Sequence, residues 1–129
     1  MSYFWARNIG TAWTHVDWFM INARDKGKRF ELKIAKVWQR LFGGEPERTS
    51  YASKKLDDMG VDLTDTDPFN IQCKAVESSI NYHAILERMP HGRNINLIVH
   101  KRNHQPVVAA MYLEDLLELL QSMKREGIL

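Results

Sequence analysis

The sequence predicts a single α/β (α+β) domain in which a central mixed β-sheet is flanked by helices, in the order αββαββα. Three observations predict this fold class. Three stretches repeat apolar residues at helical spacing, four short stretches have the pattern of strands, and turn-forming residues separate them. The chain has 129 residues, a length that fits one domain able to bury its own core.

Residues 1–23 differ from the rest of the chain. They contain three of its four tryptophans, Trp5, Trp13 and Trp18, and almost no charge. They lack the basic start and continuous apolar stretch of a signal peptide. We therefore expect them to form either an arm that packs on the domain or on a partner subunit, or an upstream extension. The domain itself is expected to occupy residues 24–129.

The first helix is predicted over residues 25–42, with Asp25 as its cap and two glycines after its end. At helical spacing, one arc contains Phe30, Ile34, Ala35, Val37, Trp38, Leu41 and Phe42. The opposite arc contains Lys28, Arg29, Lys33, Lys36, Gln39 and Arg40. Glu31 is the only charged residue inside the apolar arc. A buried carboxylate is costly without a partner, so we expect a cation or a hydrogen-bond donor beside it.

Two short strands are predicted to form a hairpin near the middle of the chain. Residues 61–63 read as the first strand, and a turn built from Asp, Thr and Pro follows them. Residues 69–76 alternate in polarity, as a half-buried strand does. The hairpin would place Asp62 on one strand and both Gln72 and Lys74 on one face of the next.

The remaining segments complete the predicted order. Residues 43–60 read as a loop, and residues 77–89 as a second helix. Two apolar strands follow, over residues 95–101 and 107–112, joined by a turn. Residues 113–126 form a final amphipathic helix whose acidic start suits its positive N-terminal end.

Charge is distributed unevenly although the net charge is only +2. Residues 24–55 contain ten Lys or Arg and four Asp or Glu, whereas residues 57–67 contain five Asp and no base. A polyphosphate-binding surface beside a divalent-cation site has this pattern, and so do two solvated surface stretches. The single cysteine, Cys73, excludes an internal disulfide and a multi-cysteine zinc site, and it suits a reducing cytoplasm. No apolar run approaches the roughly 20 residues needed to cross a bilayer, so no membrane is expected as a partner.

Four residues, Glu31, Asp62, Gln72 and Lys74, have the chemistry and spacing of a phosphodiester-hydrolysing site. Such a site needs a polarising metal, hard oxygen ligands, and a cation that orients water or steadies developing charge. Asp62 can be the central ligand, Gln72 can ligate through its amide oxygen, and the backbone carbonyl of Cys73 can add an oxygen. Lys74 supplies the cation. Glu31 can be an outer, water-mediated ligand or the acid–base group.

These residues resemble the PD-(D/E)XK nuclease superfamily, and in particular its archaeal and phage Holliday-junction resolvase branch. The resemblance covers about residues 26–120. It consists of a helix glutamate, Glu31 in GKRFELKIA, a central aspartate, Asp62 in MGVDLT, and an acid-x-lysine strand, residues 72–74 in FNIQCKA. The strand departs from the family pattern because glutamine stands where an acid is usual.

The resemblance implies a restriction-endonuclease-like fold and a Mg²⁺-dependent endodeoxyribonuclease, with Mn²⁺ as a substitute. It implies structure-specific cleavage of Holliday junctions, in a homodimer because symmetric cleavage needs two sites related by a two-fold axis. A phage origin would place the enzyme in the cytoplasm of a bacterial or archaeal host. The family's mobile basic segment is matched by ERTSYAS, residues 47–53. With the basic helix face and the lysines after that segment, the expected DNA contacts are Lys28, Arg29, Lys33, Arg48, Thr49, Ser50, Ser53, Lys54 and Lys55.

Other interpretations stay open. A nuclease of the same fold could act on flaps, ends or single strands, and Gln72 also suits a non-catalytic DNA-binding module. A purely structural or protein-interaction domain would leave Glu31 and the basic helix unexplained. The segment containing His100 and His104 could suggest an HNH-type metal site, but it reads as a strand end and a turn. The remaining acidic residues of the central segment, Asp57, Asp58, Asp65 and Asp67, are expected in loops and turns.

Overall fold

The computed structural model describes residues 23–129, so most of the predicted N-terminal arm, residues 1–22, lies outside the described residues. The elements follow in the order α1 (Ala23–Phe42), α2 (Thr49–Ala52), α3 (Lys54–Asp58), β1 (Phe69–Lys74), α4 (Tyr82–Arg88), β2 (Ile95–His100), β3 (Val108–Ala110) and α5 (Leu113–Arg125). The three strands form one mixed sheet flanked by helices. The predicted fold class is therefore confirmed, while the order of elements differs before β1.

The sheet has the strand order β1-β2-β3. β1 and β2 are parallel, with Lys74 beside His100, and α4 provides the crossover that a parallel pair requires. β3 pairs antiparallel with β2, so that Ile98 lies beside Ala110. β1 is thus an edge strand of the sheet, and its outer edge is open to the segment that precedes it.

α1 begins before the predicted start and ends where predicted. Asp25 lies in its first turn instead of capping it, where a carboxylate suits the positive helix end. Gly43, with φ 79°, donates its backbone N–H to the carbonyl of Gln39 at 2.8 Å and stops the helix. Leu41 and Phe42 were expected in the core but remain exposed at the last turn.

Each face of the sheet has its own apolar cluster, because successive strand residues point to opposite faces. On the α1 face the buried residues are Phe30, Ile34, Ala35, Leu63, Ile71 and Ala75. On the α4 face they are Leu86, Met89 and Ile98. The sheet therefore separates the neighbourhood of α1 from that of α4.

The predicted strand at residues 61–63 is reduced to one isolated bridge, with Arg48, and one hydrogen bond to β1. That bond joins the backbone N–H of Asp62 to the carbonyl of Ile71 at 2.8 Å. The segment follows directly after the tight turn at Gly60, where φ is 80°, and leaves β1 after three residues. The predicted hairpin ladder is therefore wrong, although residues 61–63 do lie along the edge of β1.

Two further boundaries differ from the prediction. The predicted loop at residues 43–60 contains α2 and α3, and the Ser53 hydroxyl accepts a hydrogen bond from Leu56 N at the start of α3. The second helix was expected over residues 77–89, but it begins after Asn81. The side chain of Asn81 accepts from Ala84 N at 3.1 Å, which fixes the start of α4 at a polar cap.

Glu77, which was predicted to begin that helix, is held elsewhere. Its carboxylate pairs with the buried Lys26 ammonium and accepts the backbone N–H of Asn103 at 2.8 Å. These bonds tie α1 to the loops that follow β1 and β2, so residues 77–80 stay irregular. Within residues 23–129, no helix is both long and apolar enough to cross a membrane.

Candidate active site

Asp62 lies along the outer edge of β1. The carbonyl of Lys74 accepts from Lys101 N, so the even-numbered residues of β1 bond toward β2. The odd-numbered residues bond outward, and Cys73 N donates to Asp62 Oδ2 at 2.7 Å. The N–H and C=O of one strand residue point to the same side, so the Cys73 carbonyl also faces the edge where Asp62 lies.

Burial raises the pKa of the Asp62 carboxyl to about 7, against the hydrogen bond from Cys73 N, which lowers it. The negative charges of Glu31 and Asp57 raise this pKa further, and the Lys74 ammonium lowers it. Asp62 is therefore within electrostatic reach of groups on α1, α3 and β1. A buried carboxyl with a displaced pKa beside other charged groups is typical of functional sites.

Glu31 has the partner that its position in the apolar arc predicts. Its Oε2 accepts a hydrogen bond from Arg48 Nε at 2.6 Å, and its side chain is 20% exposed. The Arg48 guanidinium also lies 4.9 Å from the centre of the Tyr51 ring. Burial lowers the pKa of Arg48, but the hydrogen bond and charge of Glu31 outweigh it and leave that pKa raised. The two side chains therefore form a charged pair between α1 and α2.

Gln72 and Lys74 share the α4 face of β1, as predicted. They line a cleft together with Asp57, Asp58, Met59, Gly60, Ile85 and Arg88. In the amide orientation that satisfies its neighbours, Gln72 donates to the Gly60 carbonyl at 3.0 Å and accepts from Lys74 Nζ at 3.3 Å. The amide and the ammonium are thus fixed with respect to each other.

Gly60 makes room for this arrangement. Its φ is 80°, and a Cβ there would lie 3.1 Å from the terminal amide atom of Gln72 that faces Gly60. We expect Gly60→Ala to lower the free energy of unfolding by about 1–2 kcal/mol, from the left-handed backbone alone, and to displace Gln72. Urea unfolding measures the cost. Gly92→Ala is the matched control, because a Cβ there would contact nothing within 4 Å. Equal losses in the two variants would contradict the expectation.

Three residues of this cleft were not predicted from the sequence. Asp57 and Asp58 were expected in a loop, yet they end α3 and face the cleft that Gln72 and Lys74 line. The sequence does show an acidic pair shortly before Asp62. A loop prediction, however, does not say which way the two side chains point. Arg88 ends α4 and reaches the same cleft. Arg88 reaches the cleft because α4 connects the parallel strands β1 and β2. The spacing of residues in the sequence does not reveal that contact.

Glu31 lines a second cleft, between α1 and α2. The residues around this cleft are Arg24, Gly27, Lys28, Glu31, Arg48, Ser50 and Tyr51. Gln72 and Lys74 line the first cleft, so the predicted four residues do not share one opening. Asp62 is the residue whose pKa responds to charges on both sides. The site is therefore organised around Asp62, with an acidic group on one side and a cation on the other.

The structure divides the predicted DNA contacts into exposed and enclosed residues. Arg29, Ser50, Lys54 and Lys55 are exposed, and Lys28, Lys33 and Ser53 are partly exposed. Thr49 is fully buried and its hydroxyl donates to the Val61 carbonyl at 2.6 Å, so its predicted contact with phosphate is wrong. Arg48 is 8% exposed and directs its Nε to Glu31 at the edge of the second cleft, so its phosphate contact stays a prediction.

Thr49 is therefore expected to matter for stability. Thr49→Val keeps the shape of the side chain but leaves the Val61 carbonyl without its donor. We expect the free energy of unfolding to fall by about 1–2 kcal/mol, as urea unfolding would measure. Ser50→Ala is the matched control, since Ser50 is the exposed neighbour. A Thr49→Val protein as stable as the control would show that the buried hydrogen bond contributes little.

The His100 side chain is hydrogen-bonded within the fold. It is buried, with Nδ1 at 3.0 Å from the Tyr82 hydroxyl and Nε2 at 2.9 Å from the Val76 carbonyl. Both ring nitrogens thus have partners, which disfavours the HNH-type interpretation. In residues 23–129, no three His, Cys, Asp or Glu side chains are grouped so that they could hold a metal ion.

A divalent cation does not need three such side chains. Asp62 Oδ2 accepts from Cys73 N, and Oδ1 accepts no hydrogen bond from the part of the chain that the structure describes. The Cys73 carbonyl and the Gln72 amide provide neutral oxygens on the same strand. Mg²⁺ typically takes one or two carboxylates and keeps several waters. Asp62 and the Cys73 carbonyl therefore supply oxygens of the kind that Mg²⁺ takes at this edge of β1, with one negative charge fewer than a site with two acids.

Comparisons with known proteins add no relative. The chain matches no protein-family model, and neither a curated protein nor a solved structure shows significant similarity to it.

Proposed function

We propose that this chain is a Mg²⁺-dependent, structure-specific DNA endonuclease of the PD-(D/E)XK kind that resolves four-way junctions. One observation carries the proposal. The Asp62 carboxyl is partly buried at the edge of β1, with a pKa of about 7 and with the charges of Glu31 and Lys74 acting on it. Glu31, Asp62 and Lys74 match three of the four charged positions of the nuclease motif, and Gln72 stands at the fourth; the three charged residues come from a helix, an edge segment and a strand.

Each residue has a distinct task in this proposal. Asp62, Gln72 and the Cys73 carbonyl would hold Mg²⁺ or Mn²⁺, which polarises the scissile phosphate and lowers the pKa of a bound water. The Lys74 ammonium, fixed by Gln72, stabilises the negative charge that develops on the phosphate. The carboxylate of Glu31 would accept the proton that the attacking water loses as its oxygen bonds to phosphorus.

The exposed basic residues supply the DNA-binding surface. Lys28 and Ser50 line the cleft that contains Glu31, and Arg29 lies on the same helix. Lys54 and Lys55 extend the basic surface along α3. Binding through such groups is electrostatic, so affinity for DNA should fall steeply as salt rises. The single cysteine suits the cytoplasm of a bacterial or archaeal host as the place of action.

The test is cleavage of a labelled four-way junction beside flap and linear duplex DNA, in Mg²⁺, Mn²⁺ and EDTA. We expect paired, symmetric nicks in the junction that require metal and disappear in Asp62→Ala. Glu87→Ala, at an exposed acid of α4, is the matched control and should cleave like wild type. Nicking confined to flaps or ends would keep the nuclease and change its substrate. Failure to nick any branched DNA in either metal would refute the proposal.

A second candidate is a non-catalytic DNA-binding module on the same fold. Gln72 favours it, because its amide is satisfied by Gly60 and Lys74 within the chain. This candidate predicts salt-dependent DNA binding without cleavage in either metal. Gln72→Glu separates the two, since it restores the usual acid. Cleavage that appears only in Gln72→Glu would show that the glutamine marks an inactive site.

A further inference from the structure

Another cleft opens where the parallel strands β1 and β2 end. Crevices at the carboxyl ends of parallel strands are common ligand sites in α/β proteins. This one measures about 520 Å³, within the roughly 300–1,000 Å³ of small-molecule sites. None of the residues of the proposed nuclease site lines it. We call it the His100 cleft, and its lining includes Tyr82, His100, Arg102, Asn103, Pro106 and Val108.

A chain of hydrogen bonds in this cleft ends in an acceptor. His100 Nε2 lies 2.9 Å from the Val76 carbonyl, which can only accept, so Nε2 carries a proton. Nδ1 of the neutral ring is then an acceptor, and the Tyr82 hydroxyl donates to it at 3.0 Å. This bond uses the proton of the hydroxyl. The Tyr82 oxygen therefore offers a ligand in the cleft only its lone pairs.

Asn103 adds a second acceptor. Its Oδ1 is buried and has no hydrogen-bond partner within residues 23–129. A buried polar atom without a partner costs free energy, and a molecule bound in the cleft would supply the missing donor. The backbone of Asn103 is held in place, because its N–H donates to the Glu77 carboxylate at 2.8 Å. The acceptor is therefore presented by a fixed part of the loop after β2.

The cleft also presents a cation. Arg102 is exposed and donates to the Ser79 hydroxyl at 3.3 Å, which leaves most donors of its guanidinium for a ligand. Within the described part of the chain it forms no salt bridge. The nearby carboxylate of Glu77 is neutralised by the Lys26 ammonium. A negatively charged group beside Arg102 is therefore favoured.

We propose that the His100 cleft binds a single unpaired nucleotide, whose base donates to Tyr82 and Asn103 and whose phosphate pairs with Arg102. A nucleobase supplies N–H donors on a flat ring, and such a ring stacks on aromatic and apolar side chains. The cleft offers it the Tyr82 ring and the apolar wall of Pro106 and Val108. Other ligands also combine donors with a negative charge, so the choice of a nucleotide rests on the proposed function.

The position of the His100 cleft connects it to the proposed nuclease site. His100 is the register partner of Lys74 on the neighbouring strand. Register partners in a parallel pair point to the same face of the sheet, and their strands are about 5 Å apart. A nucleotide in the cleft would therefore belong to the DNA strand whose phosphate reaches Lys74. Taking a nucleotide out of the stack costs least where it is already unpaired, so the cleft would select branched or interrupted DNA.

Binding of DNA in EDTA tests the inference without cleavage. Two labelled duplexes are compared by fluorescence anisotropy, one with a single bulged deoxyadenosine and the other with a bulged abasic site. They differ only in the base, so the general attraction of basic residues for phosphate cancels. We expect the bulged deoxyadenosine to bind about tenfold more tightly, from stacking and the two hydrogen bonds.

Asn103→Ala separates binding from folding. It removes an acceptor that has no partner in residues 23–129, so the free energy of unfolding in urea should not fall. The tenfold preference for the base should nevertheless disappear. Gln121→Ala, at an exposed amide of α5, is the matched control and should retain the preference. An Asn103→Ala protein that also retains it overturns the proposal.

Filling the cleft provides a second variant. Val108 is 49% exposed, so Val108→Trp should place its ring in the cleft and abolish the preference for the base. Ala109→Trp is the matched control, because the next residue of β3 is also exposed and points to the opposite face of the sheet. Loss of the preference in both variants, or in neither, overturns the proposal.

Calorimetric titration with free dAMP, beside deoxyribose 5-phosphate, identifies the source of the nucleotide. We expect a nucleotide held in DNA to bind better than free dAMP, because contacts to neighbouring phosphates add affinity. Binding of dAMP but not of the sugar phosphate, without a preference between the duplexes, would assign the same cleft to a free nucleotide. Equal affinity for the two duplexes together with no binding of dAMP overturns the proposal. Neither metal nor cleavage enters these measurements, so a failure here is distinct from a failure of the proposed nuclease.

Discussion

Replacing Asp62 by Asn is expected to abolish metal-dependent cleavage and, at the same time, to stabilise the metal-free protein at pH 8. The loss of cleavage follows because Asp62 provides the only carboxylate of the proposed ligand set. Losing a ligand that holds a polarising cation costs several kcal/mol of transition-state stabilisation, or at least about 100-fold in rate. The junction assay in Mg²⁺ and Mn²⁺ measures it.

The gain in stability follows from the pKa of Asp62. Its value rises from the ordinary 3.8 to about 7 on folding, mainly because of burial. Between these two pH values the folded state holds more protons than the unfolded chain, so the carboxyl's contribution to stability decreases as pH rises from about 4 to about 7. Above that range a buried charge remains, at a cost on the order of 2–4 kcal/mol. Asn carries no charge, and its carbonyl can still accept the Cys73 N–H.

Urea unfolding of wild type and Asp62→Asn at pH 5 and pH 8 would show this directly. We expect the variant to gain stability over wild type at pH 8 and to lose that advantage at pH 5. Glu87→Gln, at an exposed acid, should show no such dependence on pH. A difference between Asp62→Asn and wild type that is equal at the two pH values would refute the buried-charge explanation.

Adding metal should reverse the order of stability. A ligand that binds only the folded state at 100 times its Kd adds about 2.7 kcal/mol. Mg²⁺ or Mn²⁺ should therefore raise the Tm of wild type and leave that of Asp62→Asn unchanged. An equal rise in both proteins would remove Asp62 from the ligand set, whatever the cleavage assay shows.

The contrast between α1 and its surroundings shows what the sequence could predict. Helical spacing placed Phe30 and Ile34 in the core and Glu31 among them, because local periodicity decides which face of a helix turns inward. The same spacing could not identify the partner of Glu31. Arg48 lies 17 residues away beyond a turn, and only the tertiary fold brings its guanidinium to the carboxylate.

The segment before β1 shows where local patterns failed. Thr49 looked like a surface hydroxyl in a polar stretch, yet its side chain bonds the Val61 carbonyl and is fully buried. Residues 61–63 alternate like a strand, but a strand needs a continuous partner and they meet β1 through only one backbone–backbone hydrogen bond. Polarity and alternation describe single segments, whereas burial here depends on pairing between segments distant in the chain.

Removing Arg48 should destabilise the protein more than removing any exposed arginine. Arg48→Ala leaves the carboxylate of Glu31 partly buried without its cation, and breaking a buried pair in this way costs about 3–5 kcal/mol. Glu31 retains 20% exposure, so we expect about 2–4 kcal/mol in urea unfolding. Arg40 is an exposed residue of α1, the helix that contains Glu31. We expect Arg40→Ala to change the free energy of unfolding by less than about 0.5 kcal/mol.

A double-mutant cycle separates the pair from the packing of each side chain. Glu31→Leu with Arg48→Met replaces both charges by apolar groups of similar size, and this exchange is often neutral for a buried pair. We expect the double variant to be more stable than Arg48→Ala, with a coupling energy between the two sites of about 1–3 kcal/mol. A coupling near zero would mean that Arg48 stabilises the fold through Tyr51 and its own burial. In that case the orientation of Glu31 would not depend on Arg48.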